Sequence, residues 1–428
     1  MIGAMFQATL EFLLAGLIVA GVPVSAGAQS VELGASVESL LDYARARNPE
    51  LAMTRYEADA ATQRVQPAGA LADPVLRVEL EDINRSGSVP GIGQLPNRIG
   101  AAKYTLMQPL PAWGKRDLRR DVASADAAQA SARVAVTWTE LAARIKTAYA
   151  RYYLAAGTER ITLEIVDLNS RLEQVAQARY AGGLATQQDA IRAQVEETAL
   201  RSELITLDSE KRQLGARLNA MLARDGSAPL AEPLALRPLP ALTVFDAPSI
   251  AQRARATNPS LQAEEARLRG AEKNRELTLR NRYPDFLMGV TPTQTGARIS
   301  SWGVMFEMNI PLQQTSRRSQ ESEADAMVGA ARSRTEAVAN TLLGDLAENL
   351  AGVDAARRTE ALTTTTLLPQ SELSLRSALA AYENGRVDFT TLLEAQRQIR
   401  KARQERLKAQ VEARLRLAEV ERILGEDL

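Results

Sequence analysis

The sequence predicts a mainly helical, internally duplicated fold that carries four amphipathic strands of membrane-barrel type. Three observations predict it. Residues 112–228 contain no proline and 312–428 contain only Pro369, while the other seventeen prolines lie outside these stretches. Each stretch is rich in Ala, Leu, Glu, Arg and Gln, the composition of long helix. Each is broken once by glycine at nearly the same place, Tyr180-Ala-Gly-Gly183 and Tyr382-Glu-Asn-Gly385, and so reads as a long helical hairpin. Ahead of each stretch come two runs in which apolar and polar residues alternate, the period of a strand with two different faces. The landmarks also repeat. The offset is 210 residues from Asn48 to Asn258, 200 from Pro111 to Pro311 and 202 from Tyr180 to Tyr382. Landmarks in one order at a nearly constant offset mean a duplicated unit.

The elements follow in order. Phe12 to Ala28 is uncharged, mostly apolar, and ends in Ala26-Gly-Ala28, a small-x-small cleavage pattern, so residues 1–28 read as a secretory signal peptide. The segment is short for a membrane span and is broken by Gly16, Gly21 and Pro23. Its n-region lacks Lys and Arg and contains Glu11, which leaves a membrane anchor as the other reading. No cysteine follows the cleavage site to carry a lipid.

The first repeat is expected over 29–225. Ser36 to Gln66 is helical in pattern, with a local break at Asn48-Pro49 and an end at Pro67. A strand over 74–84 sets Leu76, Val78 and Leu80 against Arg77, Glu79 and Glu81. After a Gly-, Ser- and Pro-rich loop, 85–97, a second strand over 98–108 is closed by Pro109 and Pro111. A long helix then runs from about Ala112 to Ala181, ~105 Å at 1.5 Å per residue. It turns near 180–189 and returns over about 187–223.

Residues 226–248 carry five prolines and link the copies. The second repeat, 249–428, is expected to have a helix over 251–279, strands at 284–294 and 297–310, and a hairpin with its tip near 382–391. In the last strand Trp302, Val304, Phe306 and Met308 share one face, with Ser301, Gly303, Glu307 and Asn309 on the other and Met305 as an exception. Pro369 should bend the second long helix, because it removes a backbone hydrogen bond and crowds the preceding turn.

Composition closes off other classes. The chain has 428 residues and no histidine or cysteine, so disulfides, thiolate or imidazole metal sites, and Cys or His catalysis are impossible. Charge is balanced at 52 basic and 52 acidic residues, which gives no footprint for nucleic acid. No constellation for an enzyme is present, and neither cofactor nor resident metal is expected.

Strands of about ten residues with one apolar face have the length and pattern of tilted barrel strands in a bilayer. Four cannot close a transmembrane barrel, and an open edge in lipid leaves backbone groups unpaired. Chains must combine, two giving eight strands or three giving twelve. The other reading is a small soluble sheet packed on the helices.

This plan resembles the TolC-type outer-membrane efflux proteins of Gram-negative bacteria, over the whole mature chain. The resemblance is carried by the two Asn-Pro-x-Leu copies (Asn48 to Leu51, Asn258 to Leu261), by the corner Gln108-Pro-Leu-Pro-Ala-Trp-Gly-Lys-Arg116, and by the paired tips. The first tip reads Tyr180-Ala-Gly-Gly-Leu-Ala-Thr-Gln-Gln-Asp189. The second reads Tyr382-Glu-Asn-Gly-Arg-Val-Asp-Phe-Thr-Thr-Leu-Leu-Glu-Ala-Gln396 and is most similar to the heavy-metal branch, the outer-membrane partners of cobalt-zinc-cadmium or copper-silver pumps. The resemblance implies a homotrimer with a twelve-stranded barrel in outer-membrane lipid and a helical tunnel through the periplasm. It also implies docking to a periplasmic adaptor (membrane fusion protein) and to an inner-membrane resistance-nodulation-division pump.

The resemblance further implies a gate at the hairpin tips. The candidates are Tyr180, Asp189 and Arg192 in the first repeat, and Tyr382, Arg386, Asp388 and Glu394 in the second. Rings of carboxylates at a constriction concentrate cations. Gly182, Gly183 and Gly385 reverse the chain, and with Leu184 and Val387 form the expected adaptor contact. Where other members carry two Asp in the second tip, this chain has Thr391 and Glu394, and Val387 stands where an Arg is frequent. The expected function is a passive export duct for heavy-metal cations. A duct for drug efflux or type I protein secretion shares this fold, and a soluble periplasmic coiled-coil scaffold would account for the helices alone.

Overall fold

The computed structural model describes residues 33–82, 100–241 and 246–428. The expected signal peptide and the 85–97 loop lie outside the described residues. The first repeat comprises α1 (Val37–Arg47), α2 (Pro49–Gly69), β1 (Val75–Glu81), β2 (Ala101–Leu110), α3 (Lys115–Ala181) and α4 (Gln187–Met221). The second comprises α5 (Ala247–Thr257), α6 (Pro259–Arg280), β3 (Phe286–Thr295), β4 (Arg298–Met308), α7 (Gln314–Leu362), a π-helical turn (Thr363–Leu367), α8 (Leu368–Glu383) and α9 (Phe389–Leu424).

Each Asn-Pro pair separates two helices instead of marking a break within one. Asn48 Oδ1 accepts from Leu51 N at 3.1 Å and caps α2, while its Nδ2 donates to Met221 O at 2.7 Å, at the end of α4. Asn258 does the same in the second copy, with Leu261 N at 2.8 Å and Ile423 O at 2.7 Å. One buried amide thus starts a helix and satisfies a carbonyl at the end of the return helix. Asn258→Ala loses the cap, about 1 kcal/mol, and orphans a buried carbonyl, roughly 1–3 kcal/mol more. Thermal unfolding of the extracted protein should show that loss, and Asn258→Asp, which keeps the cap but sets a carboxylate oxygen against the buried Ile423 carbonyl, should not recover it.

Two other expectations are corrected. Pro67 does not end α2, which runs two residues further to Gly69. Pro109 does not close β2 but lies within it, opposite Leu287. Pro369 stands in the first turn of α8, immediately after the π-helical turn. That turn widens the helix by one residue just where a proline would collide with the carbonyl four residues back.

The four strands form one antiparallel sheet in the order β1-β2-β3-β4, so the repeats join through β2 and β3. Residues paired across strands share a face. The register therefore puts Leu76, Val78 and Leu80 on the same face as Tyr104 and Leu106, then Met288 and Val290, then Trp302, Val304 and Phe306. Val304 is 81% exposed and Trp302 68% exposed. The opposite face carries Arg77, Glu79, Lys103, Thr105, Thr291, Ser301 and Glu307, with Lys103 paired to Glu81 and Thr105 hydrogen-bonded to Thr291 at 3.0 Å. Met305 belongs to this polar face by register, where it and Met107 pack over Gly289. Among the described residues, both outer strands, β1 and β4, keep an unpaired edge.

The helices pack by small and aliphatic residues, as the low aromatic content requires. Leu40, Leu141, Ile145, Tyr149 and Leu218 form one cluster among α1, α3 and α4; Ile250, Leu342, Leu346, Val420 and Ile423 form its counterpart among α5, α7 and α9. Tyr149 donates to Ala35 O at 2.9 Å, and burial, helped by Glu38, pushes its phenol up to about 12. Lys146 of α3 meets the buried Glu421 of α9 at 2.6 Å, so a charged pair also ties the two repeats near their middle.

Candidate functional site: the joined hairpin tips

Both hairpins reverse in the same way. Leu184 N bonds Arg179 O at 2.8 Å and Gly183 N bonds Tyr180 O at 2.9 Å; Arg386 N bonds Ala381 O at 2.8 Å and Gly385 N bonds Tyr382 O at 2.9 Å. This six-to-one closure needs a left-handed residue, and Gly183 (φ +67) and Gly385 (φ +71) supply it. Gly182 does not share that role: its φ of −83 is open to any residue. Each return helix then starts on a polar residue. Asp388 accepts from Thr391 N at 2.9 Å and Thr391 Oγ1 at 2.6 Å, and these bonds, with Arg192 nearby, hold its carboxyl below the usual range. Thr186 instead donates to Asp189 at 3.2 Å.

Side chains from the two tips meet in one seam. Tyr382 donates to Asp189 at 3.4 Å, and burial, then Asp189, raise its phenol above the ordinary value. Its ring is 2% exposed and packs on Phe389, with centroids 5.4 Å apart. Leu172, Ala176, Leu392 and Leu393 fill in around the pair. Arg192 donates to Thr390.

The seam therefore unites Asp189, Arg192 and Tyr382. Asp388 lies beside it as a helix cap. Tyr180, Arg386 and Glu394 remain exposed outside it. The two tip tyrosines are not equivalent, since Tyr180 is 49% exposed. Of the expected adaptor contacts, Leu184 is exposed, whereas Val387 is half-buried against the Tyr382 cluster.

Sequence reasoning missed Arg179. Its guanidinium donates to Leu184 O at 3.1 Å in its own tip and to Glu383 O in the other, and stands 5.0 Å over the Tyr382 ring. A Cβ on Gly385 would lie 3.3 Å from its Nη2. It missed, too, a ladder above the seam. Arg397 forks onto buried Glu196 at 2.5 and 3.2 Å, Arg400 meets Glu203 at 2.8 Å, and Arg403 meets Glu164 at 2.7 Å. The three-residue arginine spacing on α9 and the seven-residue glutamate spacing on α4 were the available signal.

Charge is uneven along the molecule. Residues 173–197 and 379–397 hold seven acidic and four basic residues in a chain that is neutral as a whole. The arrangement can hold two helical hairpins together through breakable polar contacts, under a negative potential.

The family model described as outer membrane efflux protein matches residues 40–224 and 250–426. The cobalt-zinc-cadmium resistance protein CzcC of Cupriavidus metallidurans is 23% identical over 403 residues, covering 91% of this chain and 90% of that protein. Among solved structures, the outer-membrane channel OprN superposes with a TM-score of 0.77 at 19% identity, covering 91% of this chain and 89% of that one. CusC superposes with a TM-score of 0.77 at 16% identity, with 91% and 92% covered. VceC of Vibrio cholerae also gives 0.77, at 15% identity, with 91% and 96% covered.

Proposed function

Because the chain belongs to the outer membrane efflux protein family, we propose that three copies form a passive trans-periplasmic export duct for heavy-metal cations, gated at the joined hairpin tips. The family consists of outer-membrane channels, not enzymes, which sets aside the soluble scaffold. The observation that carries the duct is the sheet with one apolar face, one polar face and two unpaired edges. In lipid those edges must pair, and β1 of one copy against β4 of the next closes twelve strands from three copies. The polar face then lines water and the apolar face meets lipid.

The cation reading rests on the acidic excess at the tips and on the likeness to a cobalt-zinc-cadmium resistance protein. Low-dielectric walls focus the field of ringed carboxylates and raise local cation concentration. Selection among metals belongs to the partners, a periplasmic adaptor meeting the exposed tip at Leu184 and an inner-membrane resistance-nodulation-division pump. A drug or type I secretion duct would share the barrel, and the likeness to a cobalt-zinc-cadmium resistance protein is what favours the metal.

Asp388→Asn with Glu394→Gln tests the cation reading without disturbing structure. Asn caps a helix as well as Asp, and Glu394 is exposed. In planar bilayers under a salt gradient the reversal potential should shift toward zero, with cation preference falling severalfold. An unchanged reversal potential would return both residues to the solvated helix surface.

A further inference from the structure

A second charged region lies at the opposite end of the helices, where strands and helices meet. Residues 112–121, 280–285 and 313–321 carry eight basic residues against four acidic ones. The chain is neutral overall and the tips are acidic, so this excess is local.

Contacts bring the three segments together. Lys115 Nζ donates to Asp285 Oδ1 at 2.8 Å and to Tyr283 O at 2.9 Å. Arg282 forks onto Glu321 at 2.5 and 2.6 Å, and Arg317 donates to Asn281 O. Arg280 stands 5.7 Å over the Tyr283 ring, with its Nε beside Gly114. Much of the acidic charge is thus used internally. Arg119, Arg280 and Arg318 are exposed, and none has a carboxylate within ion-pair distance among the described residues.

The region is continuous with the apolar face of the sheet. Ile310 and Leu312, both exposed, follow the Trp302-Val304-Phe306 column beyond β4. Trp113, between β2 and α3, is 94% exposed, and Tyr283 is exposed as well. Large apolar side chains so exposed are unfavourable against water. Tryptophan and tyrosine settle at headgroup depth, where one end is apolar and the other wet. Unpaired arginines one step further are at the height of lipid phosphates, which a guanidinium binds through two parallel hydrogen bonds.

We propose that the strand-to-helix junction is a basic collar that binds anionic phospholipid headgroups of the periplasmic leaflet, with Arg119, Arg280 and Arg318 as the phosphate contacts and Trp113 and Tyr283 at the acyl boundary. This rests on the barrel reading above. The collar fixes the depth of the barrel in the membrane and keeps a shell of anionic lipid around it.

The test uses the full-length protein in nanodiscs made from equal parts phosphatidylglycerol and phosphatidylethanolamine. After detergent is returned and excess lipid washed away, the retained lipids are counted. The expected result is a severalfold excess of phosphatidylglycerol. In Arg119→Gln/Arg280→Gln/Arg318→Gln the ratio should fall to that supplied, with total retained lipid and helical content unchanged. Equal retention of the two lipids by the wild-type protein, or a wild-type ratio in the variant, would overturn the collar while leaving the barrel intact. No lipid retained by either protein would overturn the barrel reading, and the collar with it.

Discussion

Arginine at both Val290 and Val304 should abolish outer-membrane insertion while the helical hairpins still fold. The two valines face each other across β3 and β4, near the middle of the apolar face. An arginine on the lipid side of a barrel costs about 2–4 kcal/mol at the bilayer midplane. Three copies would place six such charges in one belt, which no protein of ordinary stability tolerates. Thr291→Arg is the control, because Thr291 lies one residue away on the polar face, against Thr105. It should insert and alter conductance only. Membrane fractionation with circular dichroism of the extracted protein reads both outcomes. Insertion of the double variant would mean the apolar face does not meet lipid.

Arg179→Ala should loosen the tips and raise basal conductance about tenfold. The guanidinium reaches one carbonyl in each tip and covers the Tyr382 ring. Hydrogen bonds from a charged donor contribute roughly 1.5–3 kcal/mol each, and the ring contact adds about 0.5–1 kcal/mol. No other side chain hydrogen-bonds to the backbone of both turns among the described residues. Arg179→Lys should not restore the closed level, since a single ammonium on a flexible stem cannot span a fork. Single-channel recording measures both variants. A wild-type conductance in Arg179→Ala would make Arg179 a brace of the turn with no part in the gate.

The layout was legible in the sequence because it is written in strong, repeated signals. Proline exclusion over 112–228, strict alternation from Trp302 to Met308, and two Asn-Pro pairs each report a backbone constraint. The site was less legible, because its contacts join residues about 200 positions apart. Aligning Tyr180 with Tyr382 matched their turns, yet one ring is exposed and the other fills the space between hairpins. Duplicated sequence fixes the local turn, not which copy faces inward. Arg179 left no trace because its partners are carbonyl oxygens, which every residue has. Glu394 drew notice as an acid near the tip, and it is exposed outside the seam between the hairpins. Pro109 reads as a strand end by rule, although β2 runs through it to Leu110.

The central claim is that separate chains complete one barrel. The measurement that tests it most directly is the native mass of the detergent-extracted protein, with bound detergent subtracted. Three times the protomer mass is the predicted result and requires β1 and β4 edges to be paired between copies. A monomer that stays in solution without detergent would contradict it, leaving the four strands as a sheet that never enters lipid.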